Sequence, residues 1–212
     1  MKTVSSMWQR TRRSIAELAS DCRGLAATEF AFIVPLMLVM FFGTVEFSSG
    51  VAVDRKVSLM ARTLADLTSQ NTSVTDTQLQ NFFSASGAIM WPYVSSPPPT
   101  PNPVSSTISE LYIDPTTGVA RVQWSQGSAP RAVGTPAPLP ASLIGTDPTT
   151  HAILQNQYFL FSEISFQYLP TIGYVMAKAG VNLSDVAYTR PRQSMCVFYP
   201  PSTTSNPPCP TS

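Results

Sequence analysis

The sequence predicts an α+β protein, with a long N-terminal helix followed by a small head built on an antiparallel β-sheet with Pro-rich loops. Two contrasts along the 212 residues support this prediction. Of the 20 prolines, 19 lie from residue 92 onward, where they exclude a mainly helical structure. Charge is distributed in the opposite way, because residues 1–70 hold 14 of the 25 charged side chains. The first third is therefore typical of a charged helix, and the remainder of a turn-rich β domain.

An uncharged run of sixteen residues, from Phe30 to Val45, has the composition of a membrane span. Counted from Leu25, the stretch forms a helix of about 31 Å, close to the thickness of a bilayer core. Five cations and two carboxylates precede Leu25, whereas Glu46 and Asp54 are the first charges after the run. By the positive-inside rule, this asymmetry predicts a cytoplasmic N-terminus and an exported C-terminal domain.

The composition also argues against several classes of function. The net charge of +1 gives no electrostatic basis for binding nucleic acid. The single histidine argues against a His-rich metal site, and three cysteines cannot form a four-thiolate zinc site alone. The chain has no nucleophile elbow, HExxH motif or phosphate-binding loop. We therefore expect no enzymatic activity, no cofactor, no metal and no nucleic-acid partner.

An apolar stripe predicts that the helix continues beyond the membrane. Residues with helical spacing form this stripe: Val53, Val57, Met60, Ala61, Leu64 and Leu67. The stripe fits a helix that packs against a globular head, and equally a plain stalk or a dimerising coil. A second helix is expected after Thr75, which forms a T-x-x-Q capping box with Gln78.

The β-rich region begins with a predicted hairpin, Thr107 to Trp124, that turns at residues 114–118. The strongest strand pattern runs from Phe159 to Pro170, with Leu160, Ile164, Phe166 and Tyr168 on one face and Glu163 on the other. The stretch 188–199 suits an edge strand whose exposed cations, Arg190 and Arg192, discourage edge pairing. A basic contact for a partner is the alternative role for these arginines.

The junction between the basic leader and the apolar run has the pattern of a cleavage site. Gly24 ends the leader, and Glu29 is at position five if Leu25 is position one. This resembles the type III signal of type IV pilins, which a membrane aspartyl peptidase cuts after glycine. The resemblance implies processing between Gly24 and Leu25, with Glu29 and Phe30 setting the register between packed helices. Alternatively, Glu29 only marks the cytoplasmic edge of an ordinary anchor.

The wider stretch 23–47 resembles the N-terminus of TadE-like proteins, which are pseudopilin-type components of the Tad (tight adherence) machinery for Flp pili. The features that match are Arg23-Gly24, Glu29-Phe30, Pro35-Leu36, Gly43 and Glu46-Phe47. The resemblance implies a non-enzymatic role in pilus biogenesis, in the bacterial inner membrane. The partners it implies are a prepilin peptidase, other Tad pilus components, pilin-type helices and membrane lipid.

These expectations divide the chain into five segments. Residues 1–24 are a cytoplasmic basic leader, and residues 25–47 a transmembrane helix. Residues 48–91 are a helical stalk with the second amphipathic helix, and residues 92–106 a Pro-rich connector. Residues 107–212 are the periplasmic β-rich domain.

The cysteines fit this orientation. Cys196 and Cys209 lie in the exported part, separated by twelve residues, and are the candidate pair for a disulfide in an oxidising compartment. Cys22 belongs to the leader, so cleavage after Gly24 would remove it.

Two other accounts of the whole chain stay open from the sequence. In the first, the protein is an uncleaved single-pass envelope scaffold that carries a periplasmic binding domain. In the second, signal peptidase releases a secreted protein whose mature N-terminus lies near Val51.

Overall fold

Two α-helices and four strands make up the regular structure of the computed structural model, which describes residues 23–94, 103–169 and 180–199. The elements are α1 (Arg23–Ser69), α2 (Asp76–Gly87), β1 (Val104–Ile113), β2 (Ala120–Gly127), β3 (Tyr158–Tyr168) and β4 (Val181–Thr189). The chain divides into two compact units, Met1–Phe47 and Ser48–Ser212. The α+β class is confirmed.

Helix α1 is 47 residues long and continues through Pro35. In the second unit, its apolar stripe is part of the core, since Val53, Val57, Met60, Ala61 and Leu64 are almost completely buried. The stripe therefore packs within the head, and the alternatives of a bare stalk and a dimerising coil are not needed to account for it.

The capping box predicted for the second helix is present at the start of α2. The Gln78 backbone N–H donates to Thr75 Oγ1, and the Thr75 backbone N–H donates to Gln78 Oε1 at 2.9 Å. A short 3-10 turn, Ala88–Met90, follows α2 and places Met90 in the core.

The four strands form one antiparallel sheet in the order β2-β1-β3-β4. The predicted hairpin is confirmed as β1 and β2, with its turn closed by the Asp114 and Gly118 backbones. A bulge between Glu110 and Leu111 shifts the register of this hairpin. The predicted strand from Phe159 is confirmed as β3, which lies beside β1 at the centre of the sheet.

Both faces of the sheet are covered. One face packs on α1 and α2 through Ile108, Leu160, Ile164, Phe166 and Tyr168. The other face, with Leu111, Phe159 and Phe161, packs under the irregular segment 128–157 through its apolar side chains. Strand β3 contributes to both clusters, because successive residues of a strand point to opposite faces.

The two edges of the sheet differ. Segment 128–157 also pairs with the outer edge of β2, where the Val122 N–H donates to the Thr135 carbonyl at 3.0 Å. In the described parts of the chain, no segment pairs with the outer edge of β4. There the Asp185 carboxylate accepts the Val186 N–H at 2.8 Å, which occupies one donor of the open edge.

The edge strand expected over 188–199 is wrong in its position. The edge strand β4 ends at Thr189, and the following residues are irregular. The Arg190 guanidinium lies 4.9 Å from the Phe159 ring centroid and donates to the Leu143 carbonyl, while Arg192 forms an ion pair with Asp66. Both arginines therefore hold the segment after β4 against the head, and they do not extend the strand.

Candidate functional site

The apolar stretch of α1 in the first unit has its side chains on the surface. Phe32 is 83% exposed, and most large apolar residues between Phe30 and Phe47 are exposed as well. In the described residues, α1 is the one helix long and apolar enough to cross a membrane, by length and composition. Side chains this apolar are stable on a surface only where lipid or other apolar helices cover them. This apolar surface is the candidate functional site.

The predicted processing and register residues lie at the start of this helix. Gly24 and Leu25 fall in the first turn of α1, and their side chains lie outside the described residues. Glu29 is exposed, and Phe30 is 67% exposed. The structure thus leaves Glu29 and Phe30 open to a neighbouring helix, and both the cleavage and the register role stay predictions.

Pro35 and Thr44 shape the backbone of the apolar stretch. Proline has no N–H, so the Ala31 carbonyl lacks its usual helical donor at position 35. Farther along, the Thr44 hydroxyl donates to the Met40 carbonyl of the preceding turn. A membrane helix tolerates a missing donor of this kind when neighbouring helices satisfy the freed carbonyl. Pro35 is therefore a position where the regular hydrogen bonding of α1 is interrupted within the apolar stretch.

The head contains a buried carboxyl group that the sequence analysis missed. The Glu110 side chain is fully buried, with Oε1 2.6 Å from the Val197 backbone N–H and Oε2 2.8 Å from Trp124 Nε1. Burial raises the pKa of Glu110 to about 8, because desolvation outweighs the two hydrogen bonds that lower it. Burial, and then the charge of Glu110, also raises the pKa of the nearby Tyr158.

Glu110 fastens the C-terminal segment to the sheet. Besides its bond to Glu110, Val197 accepts the Trp124 Nε1–H through its carbonyl at 2.8 Å. Next along the chain, Phe198 exchanges backbone hydrogen bonds with Thr72 and Val74, at 2.9 and 2.8 Å. The segment is thus held both to the sheet and to the residues that follow α1.

Cys196 is buried beside this attachment and is disulfide-bonded. Cys209 lies outside the described residues, so the pairing of Cys196 with Cys209 stays a prediction. A loop of this size would give the folded head roughly 3 kcal/mol through the lower entropy of the unfolded chain.

A charged pair lies on the face of the sheet opposite α1. Arg131 binds Glu163 through two hydrogen bonds, of 2.7 and 2.6 Å, and its guanidinium is 5.5 Å from the Phe161 ring centroid. Glu163 therefore lies on the face of β3 that the strand pattern predicted, and its carboxylate is paired there with Arg131. Within the described residues, no group of three or more His, Cys, Asp or Glu side chains could hold a metal ion.

Comparison with known proteins gives a match that falls on the helix that carries the candidate site. The family model described as TadE-like protein matches residues 24–66. This part of the chain is similar to TadE-like proteins. No curated protein and no solved structure matches the chain.

The TadE-like segment includes the apolar surface and most of the buried stripe of α1. It begins at Gly24 and ends at Asp66, which forms the ion pair with Arg192. The match covers residues 24–66 alone, so it describes this helix and not the rest of the head. The apolar helix is compatible with a single-pass membrane anchor.

Proposed function

We propose that this protein is a non-enzymatic minor pseudopilin-type component in the biogenesis of a Tad (Flp, type IVb) pilus. In this proposal α1 anchors the chain in the bacterial inner membrane, with the N-terminus in the cytoplasm and the head in the periplasm. The observation that carries the proposal is that the TadE-like match falls on the helix whose apolar side chains are exposed.

The mechanism would be lateral helix packing. Cleavage by a prepilin peptidase after Gly24 gives Leu25 a free α-amino group. Glu29 then pairs with that group, on its own chain or on a neighbouring subunit, and so fixes the register of the packed helices. In a low-dielectric environment neither charge is stable alone, which makes the pair selective for one register.

Replacement of Glu29 by alanine tests the register role. We expect Glu29→Ala to insert into the membrane normally, because it removes a charge from an apolar helix. Breaking a buried ion pair costs about 3–5 kcal/mol, so we expect pilus production to fall by about a hundredfold or more. The measurement is the amount of surface pili per cell, with insertion checked by membrane fractionation.

The matched control is Glu29→Asp, which keeps a carboxylate and should retain part of the activity. Normal pilus production by Glu29→Ala would contradict the register role. An uncleaved envelope scaffold with a periplasmic binding domain would then be the better account of the chain.

A further inference from the structure

The second unit has a cluster of aromatic side chains at the end where the chain enters it. A Cβ at Gly50 would lie 3.9 Å from Tyr168 Cε1, so the Tyr168 ring lies along the first helical turns of this unit. The rings of Tyr168 and Tyr93 are in edge contact, with their centroids 6.4 Å apart. Lys56 Nζ is 5.9 Å from the Tyr93 ring centroid.

Lys56 also fixes the backbone beside this cluster. Its ammonium group donates to the Ile89 carbonyl at 2.7 Å and to the Trp91 carbonyl at 2.9 Å. These bonds hold Trp91 at the surface, where its side chain is 69% exposed. A charged side chain of the helix thus holds the backbone beside a largely exposed aromatic side chain.

Two apolar side chains extend the exposed surface. Leu169 follows Tyr168 and is 63% exposed. Val181 is the register partner of Tyr168 and is 36% exposed. We call Trp91, Leu169 and Val181, together with the supporting side chains of Lys56, Tyr93 and the buried Tyr168, the aromatic rim.

We propose that the aromatic rim binds the lipid surface of the membrane that α1 spans, with Trp91 and Leu169 in the headgroup region of the exported leaflet. This inference rests on the proposed membrane anchoring of α1. Only Ser48 and Ser49 lie between Phe47 and Gly50, and three chain steps reach at most about 11 Å. This short connection ties Gly50 to the end of the apolar stretch that we propose lies in the membrane.

The chemistry of the rim fits this occupant. Tryptophan is enriched at membrane interfaces, because an apolar ring with one polar atom is stable where water meets hydrocarbon, and Trp91 is the exposed aromatic residue of the rim. Lysine side chains near such interfaces place the ammonium group among polar groups and the stem along apolar surface. A head fixed on the lipid surface would also keep its orientation constant while α1 packs with other helices.

The opposite end of the sheet offers an internal control. Strand β3 has eleven residues, so its two ends lie roughly 33 Å apart. Leu154 lies near the Tyr158 end, where its carbonyl accepts from Gln157 Nε2 at 2.7 Å. It is 47% exposed, between Val181 and Leu169, and it lies near the end of β3 that is remote from Tyr168.

Lipid-quenching measurements on the full chain test the proposal. The background variant is Cys22→Ser. Single cysteines are added to it by Leu169→Cys, Leu154→Cys or Val39→Cys, and each is labelled with an environment-sensitive fluorophore. The proteins are placed in vesicles of phosphatidylethanolamine and phosphatidylglycerol. The fluorescence is quenched by lipids that carry a nitroxide either near the headgroup or near the bilayer centre. We expect headgroup nitroxides to quench the Leu169 label several-fold more than the Leu154 label, and central nitroxides to quench the Val39 label most.

Trp91→Gln supplies a second arm, since an exposed residue can be replaced with little effect on folding. We expect it to weaken headgroup quenching at position 169 and to leave position 39 unchanged. Equal quenching at positions 169 and 154, with position 39 quenched, would overturn the rim proposal and leave the membrane anchor intact. No quenching at position 39 would overturn the anchor, and the rim proposal with it.

Discussion

The head should lose stability as pH rises from about 4.5 to about 8, because of Glu110. The carboxyl group of an unfolded chain ionises near 4.5, whereas burial raises the pKa of Glu110 in the fold to about 8. Below 4.5 both states hold the proton, so this stabilising contribution is fully present. Between the two values only the unfolded state releases the proton, and rising pH favours unfolding. Above about 8 the contribution is lost.

The expected size is large for one side chain. Within the window, each pH unit changes the folding equilibrium by up to about tenfold. The measurement is a urea titration of the full chain in detergent micelles at a series of pH values, followed by tryptophan fluorescence, to which the buried Trp124 contributes. We expect the midpoint to fall steadily from pH 5 to pH 8.

Glu110→Gln should flatten this dependence. The glutamine oxygen can still accept the Val197 N–H, and Trp124 Nε1 keeps the Val197 carbonyl as its acceptor. The matched control is Glu163→Gln, which removes a carboxylate from the opposite face of the sheet, where its side chain is 28% exposed. A Glu110→Gln protein that shows the same pH dependence as the wild type would contradict this role of Glu110.

Leu64→Ala should destabilise the head by about 3 kcal/mol, within the range seen for buried leucines. Leu64 is fully buried in the cluster between α1 and the sheet, so truncation leaves a cavity there. Leu59 lies on the same helix and is 53% exposed, so Leu59→Ala should change stability by less than about 0.5 kcal/mol. The same urea titration measures both variants. Equal losses for the two would contradict the packing of the stripe in the core.

Periodic patterns account for the parts of the fold that the sequence predicted correctly. The stripe from Val53 to Leu64 repeats with helical spacing, and it is the face of α1 that is buried. The second half of β3 alternates, so the face with Ile164, Phe166 and Tyr168 was predicted correctly as a buried face. These elements could be found because their local pattern and their burial agree.

Glu110 could not be found in this way. An alternating strand normally turns its charged residues to solvent, but this sheet is covered on both faces, so a central strand has no solvent face. The position of β4 was also missed. Its apolar residues are few and separated by polar ones, with Asp185 in the middle of the strand. The contacts of Arg190 and Arg192 depend on segments far away in the sequence, and no local pattern reports them.

Processing after Gly24 depends on a peptidase and on residues whose side chains lie outside the described part of the structure. Gly24 and Leu25 can be predicted from the resemblance, and the family match begins at Gly24. Cleavage itself requires a peptidase, and neither the fold of the head nor the exposure of Glu29 reports whether it occurs.

The most direct test of this account is the mass of the N-terminal peptide of the protein purified from native membranes, with and without the cognate prepilin peptidase. The account predicts a mature chain that begins at Leu25 when the peptidase is present and a chain that retains residues 1–24 when it is absent. A chain that retains residues 1–24 in both samples would contradict pseudopilin processing and would make the protein a static membrane anchor.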